Sequence, residues 1–174
     1  MGGCNATFET QYKHRAGKLI VINPTKLLGP WQEGYVLDVH TTSSTLIGYD
    51  EFGHERFETV RTPLGEALYK LKYKSDLTVL EPLANTVADF LVTKGIHQKI
   101  SLLTIVPPTN TRRRFQPNIE LAKLVGMTLH VPVYLDYILK AKDISQLKDV
   151  FDPEKRRGIL TNAYKAKDAS MNGK

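Results

Sequence analysis

Apolar and polar positions change period several times along this 174-residue chain. Residues 1–16 are polar, show no period and read as a flexible N-terminus. Residues 19–22 (Leu19, Ile20, Val21, Ile22) form a short apolar run stopped by Asn23 and Pro24, which predicts a short strand. From Trp31 the period becomes two. Tyr35, Leu37 and Val39 alternate with Val36, Asp38 and His40, as in a half-buried strand. Residues 45–49 and 56–60 read as two more strands, with Asp50, Glu51, Phe52 and Gly53 as the hairpin turn between them. The stretch 30–61 is therefore expected to be a small antiparallel β-unit, within a first region spanning residues 17–61.

Beyond that point the period lengthens to that of helices. Thr62 followed by Pro63 is a helix start, a hydroxyl cap before a proline at the first helical position. Leu64, Ala67, Leu68 and Leu71 then share one face. A second helix is predicted over 78–93, with Leu80, Leu83, Ala84, Val87 and Leu91 as its buried stripe and Gly95 as its stop. The nearly continuous apolar run 100–106 reads as a strand covered on both faces, ended by Pro107 and Pro108. A polar, basic loop leads to a helix over 117–125 closed by Gly126, and 131–133 suggests another short strand. Strand, loop, helix and strand in this order predict an α/β domain over 62–174 with strands in parallel. After Asp136 the pattern weakens. Residues 141–150 read as a mobile loop, and Asp152-Pro153 caps a short helix through Leu160. Only two parallel strands are convincing, so the sheet reads as unfinished, and its exposed edge is liable to pair with another copy, as a homodimer or in aggregation.

Composition narrows the classes. The chain is 41% hydrophobic and 24% charged, ordinary values for a soluble globular domain, which argues against general disorder. Its apolar runs, such as 102–108, fall far short of the roughly 20 residues a membrane helix needs. Met1, Gly2, Gly3, Cys4 and Asn5 lead into polar residues without a charged-then-apolar leader, and a cytoplasmic protein with no membrane partner is expected. Cys4 is the single cysteine, leaving no internal disulfide and no cysteine-based zinc site. His14, His40, His54, His97 and His130 are scattered without a pair at ligand spacing, so no metal site is expected. The net charge of +6 fits a polyanionic partner, either a nucleic acid or a small molecule with several phosphates, and equally fits simple solubility.

The chemistry concentrates after residue 106, because open α/β sheets bind ligands outside the carboxyl ends of their strands. There Thr109, Asn110 and the consecutive Arg112, Arg113 and Arg114 precede a helix N-terminus. Cationic forks beside backbone N–H groups suit phosphate oxygens, although a solvated basic loop or a nucleic-acid contact would use the same residues. The segment from Leu68 to Asp76 resembles the "LKYxGD" element of the ComF family, with Ser75 where glycine is usual. Ile105, Val106, Pro107 and Pro108 resemble that family's "VPVP" strand end. Residues 113–118 leading to Leu121-Ala122 resemble its "RGFNQ…LA", and Gln146, Arg156-Arg157 and Ala163-Tyr164 resemble its tail "Q…RR.N…AF". These matches run in order over roughly 100 residues, from about Thr62 to Tyr164.

The resemblance implies an α/β fold of the type I phosphoribosyltransferase kind: a Rossmann-like parallel sheet, incomplete at its C-terminal end, with a small N-terminal antiparallel β-unit. It implies that Thr109, Asn110, Arg112, Arg113 and Arg114 hold the pyrophosphate of phosphoribosyl pyrophosphate, with Lys72 a nearby cation and magnesium accompanying the donor. Gln146 and Lys148 would belong to the flexible loop that closes over the site. Read from the residues alone, Lys72 is better taken as a solvent-facing helix residue, and Gln146 is equally an ordinary loop residue. Three departures qualify the resemblance. The four-cysteine zinc ribbon common in the family is absent, Ile159 stands where asparagine is usual, and the donor-binding motif is missing. That motif is a strand ending in paired acids before a hydroxyl-rich loop. The pair Asp50-Glu51 is followed by Phe52, Gly53, His54 and Glu55, which lack the hydroxyls and carry a charge that repels phosphate. A hairpin turn is the better reading there. The expectation is a phosphoribosyltransferase-like chain that stops short of its donor loop, either as a fragment of a longer transferase or as a naturally shortened chain, and that binds a phosphorylated ligand without useful transferase activity as written. The alternatives are a nucleic-acid-binding accessory, contacting single-stranded DNA through basic side chains with Tyr69, Tyr73 and Phe115, or a module that senses a phosphorylated metabolite.

Overall fold

Residues 17–108, 114–142, 150 and 152–167 are described by the structure, a computed structural model. It divides into two compact units, Met1–Thr86 and Val87–Lys174. In the first unit the apolar run 19–22 forms no strand. The Ile20 N–H donates to Thr86 Oγ1 at 2.9 Å, which takes it out of any ladder. Strand β1 (Thr25–Lys26) lies just beyond and pairs antiparallel with β2 (Tyr35–Val36). The loop between them is drawn in by the Leu27 N–H donating to the Gly34 carbonyl at 2.7 Å. The Trp31 indole lies so close to Gly29 and Gly34 that a Cβ at either would overlap the ring. Of the alternating run 35–40, only Tyr35 and Val36 enter a strand.

The predicted hairpin is present and longer than its sequence signal. Strands β3 (Thr41–Tyr49) and β4 (Glu55–Arg61) pair antiparallel, with register irregularities at Thr42 and Ile47. The turn is closed by the Asp50 N–H donating to the His54 carbonyl at 2.9 Å, with Gly53 at φ 78°, a backbone open to glycine. The Asp50 carboxylate accepts the backbone N–H of His54 and of Phe52, and the His54 bond above all holds its pKa below the usual value.

Thr62 joins this ribbon to the first helix. Its hydroxyl donates to the Val39 carbonyl at 2.7 Å and accepts the Gly65 N–H at 3.0 Å, capping α1 (Pro63–Tyr69) as the Thr-Pro pair predicted. Gly65 is buried against the His40 carbonyl, where a Cβ would collide with that oxygen. Leu64, Ala67 and Leu71 are buried. A π-helical turn, Lys70–Lys74, follows and ends at Ser75 in the left-handed backbone region, φ 52°. Asp76 then caps a 3-10 turn, Leu77–Val79, accepting the hydroxyl and the N–H of Thr78, and the hydroxyl bond chiefly lowers its pKa. Helix α2 (Leu80–Thr93) carries Leu83, Ala84, Ala88 and Phe90 as buried residues and stops at Gly95, φ 66°.

The second unit holds the parallel pairing. β5 (Leu103–Thr104) and β6 (Val133–Tyr134) pair in parallel across helix α3 (Pro117–Leu129). The apolar run 100–106 supplies just two strand residues, and Val106 is 60% exposed, so it is not a strand covered on both faces. Gly126 does not end α3. It is buried inside the helix, where a Cβ would meet the Val133 side chain and the Val131 carbonyl, and His130 at φ 57° ends the helix instead. A second antiparallel pair, β7 (Ile138–Lys140) with β8 (Tyr164–Ala166), escaped the sequence pattern. Asp152 caps α4 (Pro153–Leu160) through the N–H groups of Glu154 and Lys155, as expected. The fold is thus mixed α/β, with four two-stranded sheets among the described residues, one parallel and three antiparallel. No helix among the described residues is long and apolar enough to cross a membrane.

Replacing Thr62 with alanine removes a cap and leaves the Val39 carbonyl without its hydroxyl donor. Thr62→Ala should lower stability by about 1–2 kcal/mol, while Thr62→Ser should retain most of it. Urea midpoints at constant slope measure both.

Candidate functional site

The connection from β5 to α3 is held at both ends. Val106 follows the strand, and its carbonyl accepts the Asn118 side-chain amide at 3.2 Å. Asn118 lies in the first turn of α3, so this bond fastens the helix start to the strand exit. Pro117 occupies the first helical positions, where a missing N–H costs nothing. The Gln116 carbonyl accepts the N–H groups of Ile119 and Glu120 at 3.1 and 3.2 Å. Glu120 would repel an anion here, but Lys123 Nζ sits 2.9 Å from its carboxylate and offsets that charge. Arg114 is exposed, and Phe115 and Gln116 are half-buried beside it. The basic loop therefore starts and finishes at anchored points. This arrangement can present a guanidinium and a helix N-terminus to solvent at the carboxyl end of a parallel strand.

Of the side chains nominated for phosphate binding and loop closure, Arg114 and Lys72 lie among the described residues; Thr109, Asn110, Arg112, Arg113, Gln146 and Lys148 lie outside them. Arg114 belongs to the second unit and Lys72 to the first. Lys72 is exposed on the π-helical turn, with its ammonium 5.2 Å from the centroid of the Tyr73 ring. Tyr73 is in turn 5.2 Å from Tyr69, centroid to centroid, and the Arg61 guanidinium covers Tyr69 at 3.9 Å. Glu66 completes the group, 3.7 Å from Arg61 and 3.9 Å from Lys70. The result is an alternation of cations and rings along one side of α1 and the turn after it. Sequence reasoning named Tyr69, Tyr73 and Lys72 but missed Arg61, whose place depends on the fold of β4 onto α1. It also gave Asn118 no individual role. An amide two residues inside a Pro-started helix was the available signal.

Among the described residues, no three His, Cys, Asp or Glu side chains gather as a metal-binding group. Asp136 is held below the usual carboxylate pKa, chiefly by its hydrogen bond from the Lys167 ammonium. No family model, no curated protein and no solved structure matches the chain.

Loss of the Asn118 strap should loosen the base of the basic loop. Asn118→Ala should cost about 0.5–1.5 kcal/mol. Amide hydrogen exchange should speed up around Val106 and the first turn of α3 while the β3–β4 ribbon is unchanged.

Proposed function

We propose that the chain is a phosphoribosyltransferase-like module of the ComF kind that binds a diphosphate-bearing ligand, such as phosphoribosyl pyrophosphate, at the loop between β5 and α3. The observation that carries this reading is the parallel β5–α3–β6 crossover with a basic loop at the strand's carboxyl end, closed by the Asn118–Val106 bond. In such a position Arg112, Arg113 and Arg114 supply guanidinium forks for diphosphate oxygens, and Thr109 and Asn110 add neutral donors. The first turn of α3 favours the same charge. Magnesium enters with the ligand, bound by its phosphate oxygens. The segment with Gln146 and Lys148 takes the closing-loop role that the resemblance assigns. Ser75 adds local support. It occupies a left-handed backbone position, and the family motif carries glycine at this point, the residue that such a backbone favours.

The test is thermal unfolding in the presence of inorganic pyrophosphate and of magnesium phosphoribosyl pyrophosphate. At a hundredfold excess over Kd, binding should stabilise the protein by about 2.7 kcal/mol and raise Tm by roughly 5–10 °C. Changing Arg112, Arg113 and Arg114 together to alanine should abolish the shift, and Arg114→Ala alone should reduce it. An unshifted Tm at millimolar concentrations of both ligands would sink the proposal.

A second reading, contact with single-stranded nucleic acid, is favoured by the Arg61, Tyr69, Tyr73 and Lys72 alternation, which offers rings beside cations. Its outcome differs from the first. Affinity for an oligonucleotide should fall steeply between about 50 and 200 mM salt and should depend on Tyr73 rather than on Arg114. No binding at low salt would exclude it.

A further inference from the structure

The β3–β4 ribbon is largely exposed, and its charge is unevenly divided between its strands. Leu46, Ile47, Tyr49 and Phe57 are each about half exposed or more, at 45%, 57%, 63% and 50%. The register puts Tyr49 with Glu55, Leu46 with Phe57, Ser44 with Thr59 and Thr41 with Arg61 on one face, and the Ser44 and Thr59 hydroxyls lie 3.3 Å apart. Each strand has a single partner, so each keeps an unpaired edge among the described residues. The two edges are not alike. β4 carries Glu55, Arg56, Glu58 and Arg61, the kind of charge that keeps an edge from pairing. β3 has no charged residue anywhere from Thr41 to Tyr49. Its edge is unprotected.

We propose that β3 is a self-association edge, pairing antiparallel with β3 of a second copy of this chain to make a four-stranded sheet in the order β4, β3, β3, β4. Charge selects this occupant. Around a two-fold axis each strand meets its own sequence, so a charged residue near the axis would face its like. An uncharged β3 satisfies that condition. The ribbon as a whole is acidic, with Asp50, Glu51, Glu55 and Glu58 against Arg56 and Arg61, which disfavours a nucleic acid on the same edge. Geometry agrees. Residues directly opposite in an antiparallel pair share a face, so with Thr45 at the axis Leu46 meets Ser44 of the second copy. The Leu46–Phe57 pairs of both ribbons then lie on one continuous surface. A two-stranded ribbon is marginal by itself, and two more strands supply what it lacks. The irregularities at Thr42 and Ile47 confine the regular stretch to Ser43, Ser44, Thr45 and Leu46, so the dimer is reversible rather than permanent.

Sedimentation equilibrium on the full chain should show a monomer–dimer equilibrium with a midpoint on the order of 10 µM. Thr45 lies opposite Glu58 on its own ribbon. The variant Thr45→Lys therefore gains an opposite-charge pair within the hairpin while bringing two ammonium groups together at the two-fold axis. It should weaken the dimer by about tenfold or more with an unchanged far-UV circular dichroism spectrum. Hydrogen exchange on the unaltered chain supplies a readout independent of any variant. Every second amide among residues 43–46, those facing away from β4, should be better protected above the midpoint than below it, and those of β4 should not change. A chain that remains monomeric at about 200 µM, tenfold and more above the expected midpoint, would overturn the proposal and leave the edge to a strand of another protein. So would a dimer indifferent to Thr45→Lys, or concentration-dependent protection confined to other segments.

Discussion

A helix can rest directly on another segment's main chain only where no Cβ intervenes, and each unit depends on one such contact. In the first, Gly65 lets α1 begin against the His40 carbonyl. That approach brings the Thr62 hydroxyl within reach of Val39, so a single side chain ends the ribbon and starts the helix. In the second, Gly126 lets α3 close onto Val131 and Val133. β6 then reaches β5, and the Leu103 N–H finds the Pro132 carbonyl at 2.8 Å. Any side chain at either glycine would push a helix off the backbone beneath it, and the connections downstream would shift with it.

What could be read in the sequence was what neighbouring residues decide among themselves. Thr62-Pro63 and Asp152-Pro153 start helices because cap and proline act over one turn, and Asp50 to Gly53 make a turn because the carboxylate and the glycine act over four residues. The reading failed where a distant partner decides. The Ile20 amide goes to Thr86, so an apolar run that looks like a strand is not one. The run 100–106 keeps only two ladder residues, because β6 supplies only Val133 and Tyr134 opposite it. Gly126 resembles a helix stop until its packing against β6 is considered. β7 and β8 carry no alternation of their own and are held by pairings such as Ala141 to Ala163. The same division holds for the candidate site. Exposed Arg114 was legible as a cation before a helix, whereas Arg61 over Tyr69 needed the ribbon folded onto α1.

Charge is distributed unevenly, and that asymmetry organises the functional reading. The chain is basic overall, yet it carries an exposed acidic ribbon with one uncharged strand. Cations gather instead at the loop before α3 and along the turn after α1. A polyanion and a second protein strand would therefore be drawn to different elements. The Asn118 bond joins the Val106 carbonyl to the first turn of α3 on either side of the basic loop in the sequence.

The two kinds of pairing also differ in how far apart in the chain their members lie. Tyr49 meets Glu55 across a tight turn, whereas Leu103 meets Val133 only after α3 has been threaded between them. Loop-closure entropy grows with the logarithm of that separation, which makes the crossover costlier to close by about 1.4 kcal/mol before any packing is gained. The ribbon can zip from its turn within microseconds, while β5 and β6 must wait for the helix between them to condense. During synthesis, then, the nascent chain displays its uncharged strand before the parallel pair exists, and the order of assembly follows from where the turns were placed.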